Sequence, residues 1–195
     1  MKILLCLASI VLMSFTPVHK TPIERIGVKG PLEFNKTDYM LAWSQRPNVD
    51  YYVQEYLPRN ETVKQFNQML TMHVFVKDVS VEDAVLQKEA ELIQRKATDK
   101  VCNYSISQSP DGKEKLVDCV LSTEKYGQLT IVEFIIYRYR QIELENHKKG
   151  LLIFSYSKRS YGTDILPFFT KLATDRKNLL NLMIAMELPK IKIKE

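Results

Sequence analysis

The chain has 195 residues, 45% of them hydrophobic and 26% charged, with a formal net charge of +5. That length suffices for one domain with a self-sufficient core, and the composition excludes a collagen, a coiled coil or a disordered tail. Six glycines and three histidines leave little material for a phosphate-cradling loop or an imidazole metal cluster.

Met1-Lys2 is a short positive start, and Ile3 to Phe15 is an apolar run of 13 residues. Such a run is too short to span a bilayer and suits the core of a signal peptide. The sequence therefore predicts a leader over residues 1–20 and a single α+β domain over 21–195. Losing Lys2 and Lys20 with the leader leaves 26 basic against 23 acidic residues, a charge of about +3, too weak an excess to argue for nucleic acid or an anionic membrane. No second apolar stretch reaches membrane length, so no integral span is expected after leader removal.

Residues 21–29 read as an irregular lead-in, and Gly30-Pro31 as a turn. Short strands are expected at 32–35, 39–44 and 51–58, the last stopped by Pro58. A first helix is expected from Asn60 or Thr62, since Thr62 and Gln65 have capping-box spacing and Val63, Phe66, Met69 and Leu70 share one helical face. Residues 72–76 can extend that helix or begin a strand. Ser80 caps a second helix, with Glu82 and Asp83 in its positive first turn.

Residues 101–162 read as four consecutive antiparallel strands. Val101–Ser107 and Lys115–Leu121 flank Ser109-Pro110-Asp111-Gly112, whose Pro and Asp-Gly suit a tight turn. Taking those four residues as the loop pairs Gln108 with Lys113 and, counting back, sets Cys102 opposite Cys119. Opposed hairpin residues have the Cβ separation that a disulfide needs. A Cys102–Cys119 disulfide is therefore expected, in keeping with an exported chain. Residues 128–142 form a long strand, apolar on both faces in its first half. Residues 151–161 return beside it. A last, long helix starts at Thr163 or Asp164 and ends before Pro189, and the lysine-rich tail is expected to fray. The order predicts an antiparallel sheet of about six to seven strands, two helices after the N-terminal strands, and a long C-terminal helix packed on the sheet.

Between residues 39 and 75 the chain carries Trp43-Ser44, Pro47, Tyr52-x-x-Glu55-Tyr56-Leu57-Pro58-x-Asn60-Glu61-Thr62 and Phe66-Asn67-x-Met69-Leu70. This motif resembles one in small exported bacterial proteins, whose element order is similar to the Mog1/PsbP-like α/β/α sandwich. The resemblance implies a scaffold for binding rather than catalysis, associated with exported or envelope proteins.

Signature chemistry is sparse. The sequence has no HxxxH, HExxH, CxxC, GxSxG or GxGxxG, so no metal and no cofactor are expected and no catalytic residue is assigned. His147 sits in a polar loop and reads as solvated, and His73 reads as a packed residue. Glu133, in an apolar strand, is expected to meet a basic neighbour. Tyr137, Arg138, Tyr139 and Arg140, with Tyr156, Lys158, Arg159 and Tyr161, read as a tyrosine- and arginine-rich end of the sheet, of the types enriched at binding hot spots. The leading expectation is a monomeric, exported, non-catalytic module, periplasmic or extracellular, that binds a protein or glycan there. The alternatives are a secreted effector or inhibitor of another protein, and a carboxylate-dependent hydrolase using Glu133 or Glu55.

Overall fold

The structure is a computed structural model that describes residues 21–194; the expected leader lies outside the described residues. Eight strands form one antiparallel sheet: β1 (Leu32–Phe34), β2 (Thr37–Asn48), β3 (Tyr51–Leu57), β4 (Gln68–Phe75), β5 (Asn103–Gln108), β6 (Glu114–Lys125), β7 (Gln128–Glu143) and β8 (Lys149–Tyr161). Their spatial order is β1-β2-β3-β4-β8-β7-β6-β5. Two four-stranded meanders thus join edge to edge where β4 pairs with β8, Leu70 opposite Tyr156 and Met72 opposite Phe154. Helix α1 (Val81–Lys96) is the crossover between the meanders, and α2 (Ile165–Ala185) comes after β8. The α+β class, the four-strand run and the long last helix agree with the sequence reading.

The two helices pack on opposite faces of the sheet. On one face lie Leu70, Met72 and Val74 of β4, Val132, Phe134 and Ile136 of β7, and Leu152, Phe154 and Tyr156 of β8, all fully buried under Phe168, Leu172, Leu179 and Met183 of α2. The lead-in and the tail finish covering that face. Lys192 N–H donates to the Ile26 carbonyl at 2.9 Å, and Ile26 and Ile191 are both buried. The tail is therefore docked rather than frayed, because its alternating Ile191 and Ile193 have apolar surface to cover. On the other face, Val85 and Leu92 of α1 pack on Val117 and Cys119 of β6 and Ile135 and Tyr139 of β7.

The helix expected from residue 60 does not form. Thr62 and Gln65 exchange backbone hydrogen bonds of 3.1 and 3.0 Å, so the capping-box pair closes a tight turn instead. The Glu61 carboxylate accepts the backbone N–H groups of Asn67 and Gln68 at 2.7 and 3.0 Å, satisfying donors that a helix would have used. The chain then enters β4, whose alternation of buried Leu70, Met72 and Val74 is the period of a strand.

The expected disulfide is also absent: Cys102 and Cys119 are both free and buried. The hairpin turns one residue later than the turn chemistry suggests. Ser109 N–H donates to the Glu114 carbonyl at 2.9 Å, and the Ser109 hydroxyl accepts from Glu114 N–H at 3.0 Å. Ser109 is thus the last paired residue, not the first of the loop. Gln108 pairs with Lys115, and Cys119 faces Tyr104. A shift of two keeps both cysteines on the α1 face while separating them along the ladder. The Cys102 thiol donates weakly to the Leu92 carbonyl at 3.6 Å, and burial pushes the Cys119 thiol up to about 12. Thiolate is the reactive form. Iodoacetamide should therefore leave Cys102 and Cys119 unmodified in the native protein and alkylate both in urea without reductant. Peptide masses read this directly, and alkylation in urea only after reduction would restore the bridge.

Candidate functional site

Face parity and register decide where the predicted binding residues go. Tyr137 pairs with Ser155 and Arg140 with Leu152, whereas Arg159 pairs with Glu133 and Tyr161 with Ile131. Because β7 and β8 are antiparallel, Tyr137–Arg140 and Lys158–Tyr161 lie toward opposite ends of the sheet. They also divide between its faces. The Arg138 guanidinium donates to the Met183 and Met186 carbonyls at 2.8 and 2.7 Å and pairs with Glu114. It caps the C-terminus of α2, where unsatisfied carbonyls favour a cation. Tyr156 is fully buried, its hydroxyl donating to Gln68 Oε1 at 2.9 Å. Lys158 reaches Asp175 of α2 at 3.4 Å, and Arg140 is an exposed rim residue near Glu114.

At the far end of the α1 face, Arg159 donates to Glu133 Oε2 at 2.7 and 3.2 Å and lies 4.0 Å over the Phe66 ring. The Tyr161 hydroxyl donates to the Phe66 carbonyl at 2.8 Å. These residues hold the 58–67 loop against the sheet. Glu133 therefore has the basic neighbour that its apolar strand requires. Burial raises the Glu55 carboxyl, opposed by Arg159. By strand spacing and rise the Glu55 and Glu133 backbones stand on the order of 20 Å apart along the sheet, and the group nearest Glu133 is Arg159, which also acts on Glu55.

Tyr137 and Tyr139 have a different setting. Helix α1 packs mainly on β5, β6 and β7, and its C-terminal end is tied down there. The Asp99 carboxylate accepts the Ser122 backbone N–H at 2.7 Å and its hydroxyl at 2.6 Å, and Arg95 pairs with Asp99. Among the described residues, no helix packs over the same face of β3, β4 and β8. Between the edge of α1 and these strands lies a cleft of about 400 Å³, walled by Tyr51, Phe75, Tyr137, Asp83 and Lys88, with Ile153 on the β8 side.

Its polar groups are set by strand pairing. Val53, His73, Ile153 and Tyr139 form one row across β3, β4, β8 and β7. One row along, Tyr51 faces Phe75, their rings stacked at 4.6 Å and 10°. Tyr51 Oη lies 2.7 Å from His73 Nδ1. Burial, aided by Lys88, lowers the His73 imidazole to about 4, so it is neutral near pH 7. Burial and Glu55 raise the Tyr51 phenol, which keeps its proton. Tyr51 therefore donates to Nδ1, and the imidazole proton sits on Nε2. Nε2–H has no hydrogen-bond partner among the described residues, and neither has the Tyr137 hydroxyl. Tyr139, 1% exposed, carries an enclosed hydroxyl that is likewise unpartnered among the described residues.

Of the rim charges, Lys88 and Glu91 are paired with each other, and Asp83 keeps its charge while bonded to a neutral hydroxyl. Lys88 Nζ pairs with Glu91 at 2.6 Å and lies 5.2 Å over the Tyr137 ring. Asp83 accepts the Ser80 hydroxyl at 2.6 Å within the α1 cap. Sequence reasoning reaches Tyr137 and Tyr139 but misses Tyr51, His73 and Phe75, because reading 60–70 as a helix conceals the alternation that puts His73 and Phe75 on one strand face. His147 is exposed and paired with Glu143, as its loop setting implies. Among the described residues no group of three His, Cys, Asp or Glu side chains is placed to hold a metal, and no helix is long and apolar enough to cross a membrane.

A protein-family model matches residues 26–188, from the buried lead-in through α2, and so takes in every strand of the sheet and both helices. The chain belongs to that family. No curated protein and no solved structure matches it. The shared unit thus includes the cleft and every residue that walls it.

Proposed function

We infer that the protein is a non-catalytic binding module that takes its ligand in the cleft between α1 and the uncovered half of the sheet. The observation that carries this reading is the cleft itself: a concave site rich in aromatic side chains with a few polar groups turned toward it, as small-molecule sites are built. A hydrolase reading has less support, since Glu133 is neutralised by Arg159 and His73 is bonded to a tyrosine rather than to a nucleophile or an orienting carboxylate. The Mog1/PsbP-like resemblance agrees with helices on opposite faces of an antiparallel sheet, and it favours binding. Export to the periplasm or the medium rests only on the apolar run at residues 3–15 behind Lys2, because the free cysteines withdraw the support that a disulfide would have given it. The protein works as a monomer in this reading.

The test is a small-molecule screen by chemical-shift perturbation. Ligands should shift the resonances of His73, Tyr137 and Ile153 together. A set of binders mapping only to Arg140 and Arg159 would return the site to the sheet ends. Fusing residues 1–25 to alkaline phosphatase should give activity outside the cytosol of a bacterial host; a fusion that stays inactive in the cytosol would remove the export reading.

A further inference from the structure

We propose that the ligand of this cleft is an uncharged, planar aromatic molecule bearing one or two oxygen functions, a phenol or an aryl ketone rather than an acid, an amine or a sugar. This rests on the cleft being the binding site, and the chemistry of its walls narrows what fits.

Charge decides first. A bound anion needs a cation that is free to pair with it, but Lys88 is held by Glu91 and by the face of Tyr137. His73 cannot help near neutral pH, because its imidazole is uncharged. A bound cation would meet Glu91 already paired with Lys88, and otherwise only Asp83, an exposed rim carboxylate that water screens while it accepts the Ser80 hydroxyl. Bringing a net charge into this site would break one of these pairs or leave the charge partly desolvated without a partner, which is costly. The neutral molecule meets no such penalty.

Shape and hydrogen-bonding capacity decide next. Tyr51 and Phe75 already stack nearly parallel, 10° apart, on one side, and Tyr137 stands on the other. Ile153 lies between His73 and Tyr139 in the row that crosses the cleft. A flat ring lying along this row meets aromatic faces and edges at both ends and an aliphatic side chain between them. The polar groups left for it are few: the His73 Nε2–H donor and the hydroxyls of Tyr137 and Tyr139, the latter enclosed and unpartnered among the described residues. The imidazole and the two phenols stand two strands apart, on the order of 10 Å at the backbone, and their side chains shorten that span to what one substituted ring system bridges. A saccharide of similar size carries four or more hydroxyl groups, most of which would be buried here without partners. One or two oxygens match the site's capacity. The volume of about 400 Å³ falls in the range of sites for small organic ligands.

The experiment is isothermal titration calorimetry on the protein expressed from the full chain, at pH 7.5, with four probes: 2-naphthol, naphthalene-2-sulfonate, 2-(aminomethyl)naphthalene and methyl β-glucopyranoside. We expect 2-naphthol to bind one to one and more tightly than the other three. Ala84→Phe, which adds a ring to the α1 wall, should weaken it at least tenfold. Gln87→Trp, at an exposed position on the same wall that needs no repacking, should do the same and guards against a folding defect in the first variant. Tyr137→Phe should weaken it about fivefold, the scale of one hydrogen bond, with naphthalene itself unaffected by that change. Tighter binding of the sulfonate, the amine or the glucoside, still lost in Gln87→Trp, overturns the ligand class and leaves the cleft as the site. Binding of 2-naphthol that neither wall variant weakens overturns the proposal and the cleft together, as does the failure of all four probes to bind.

Discussion

Arg138→Ala should destabilise the fold by about 3 kcal/mol or more, while Arg140→Ala, two residues along the same strand face, should change stability by less than about 1 kcal/mol. The two arginines are of one type and one parity, and the sequence places both at a binding surface. Arg138 has 9% of its side chain exposed and ends under α2, where it donates to the carbonyls of Met183 and Met186 and pairs with Glu114. Truncation orphans two helix-terminal carbonyls in a buried place, each bonded until then to a charged donor, a class of bond worth about 1.5–3 kcal/mol. It also removes the closer partner of a Glu114 that is itself largely buried. Arg140 is nearly half exposed and stands 3.4 Å from the same carboxylate, where solvent screens the pair. Urea titrations of the two variants measure the contrast. Equal, small effects would mean that Arg138 is not holding the end of α2, and would return both residues to the surface role.

Why the sequence reveals some of this and not the rest is visible at particular residues. The four-strand run is legible because β7 and β8 are rich in β-branched and aromatic residues and are bounded by polar turns. The hairpin register is not, because it depends on whether the Ser109 hydroxyl accepts from Glu114 N–H, and a one-residue difference in the loop sets Cys119 opposite Tyr104 rather than Cys102. The segment 60–70 satisfies every local rule for a helix start. It becomes loop and strand because Glu61 and Thr62 find closer backbone donors within the loop, and because Leu70, Met72 and Val74 can be buried under α2 and the lead-in only as a strand. Tertiary burial overrides local propensity there. The Asp118–Arg176 pair, at 2.6 Å between β6 and α2, is beyond reach for a similar reason: parity places Asp118 on the α2 face, but not opposite any one turn of the helix.

The cleft depends on one further fact that no periodicity contains. Helix α1 is long enough to cover only half of its face of the sheet, and its anchors at Asp99 and Leu92 fix which half. The open half is decided by where the helix is fastened. Alternation alone groups His73 with Thr71 and Phe75 once β4 is known to be a strand. It does not show that a neighbouring helix stops short of them.

His73 should make the protein acid-sensitive between about pH 6.5 and 4. Burial lowers its folded-state value to about 4, against 6.5 for a histidine in an open, solvated chain. Between those values the unfolded chain binds a proton that the folded protein excludes, so stability rises with pH through this window. Its contribution is intact above about 6.5 and is lost progressively as pH falls toward 4. The full span of that difference is about 3 kcal/mol at 1.36 kcal/mol per unit. Protonation would also turn Nδ1 from acceptor to donor, so that the Tyr51 hydroxyl must reverse its bond, and would set a charge facing Lys88. Denaturation midpoints measured from pH 7.5 to 4 should therefore fall more steeply in the native protein than in His73→Phe, which keeps a ring beside Tyr51 and has nothing to titrate. The chemical shifts of His73 in the same titration should hold to the neutral form down to about pH 5. An imidazole that titrates near 6.5 in the folded protein would show that water reaches the ring freely, and the acid sensitivity assigned to His73 would go with it.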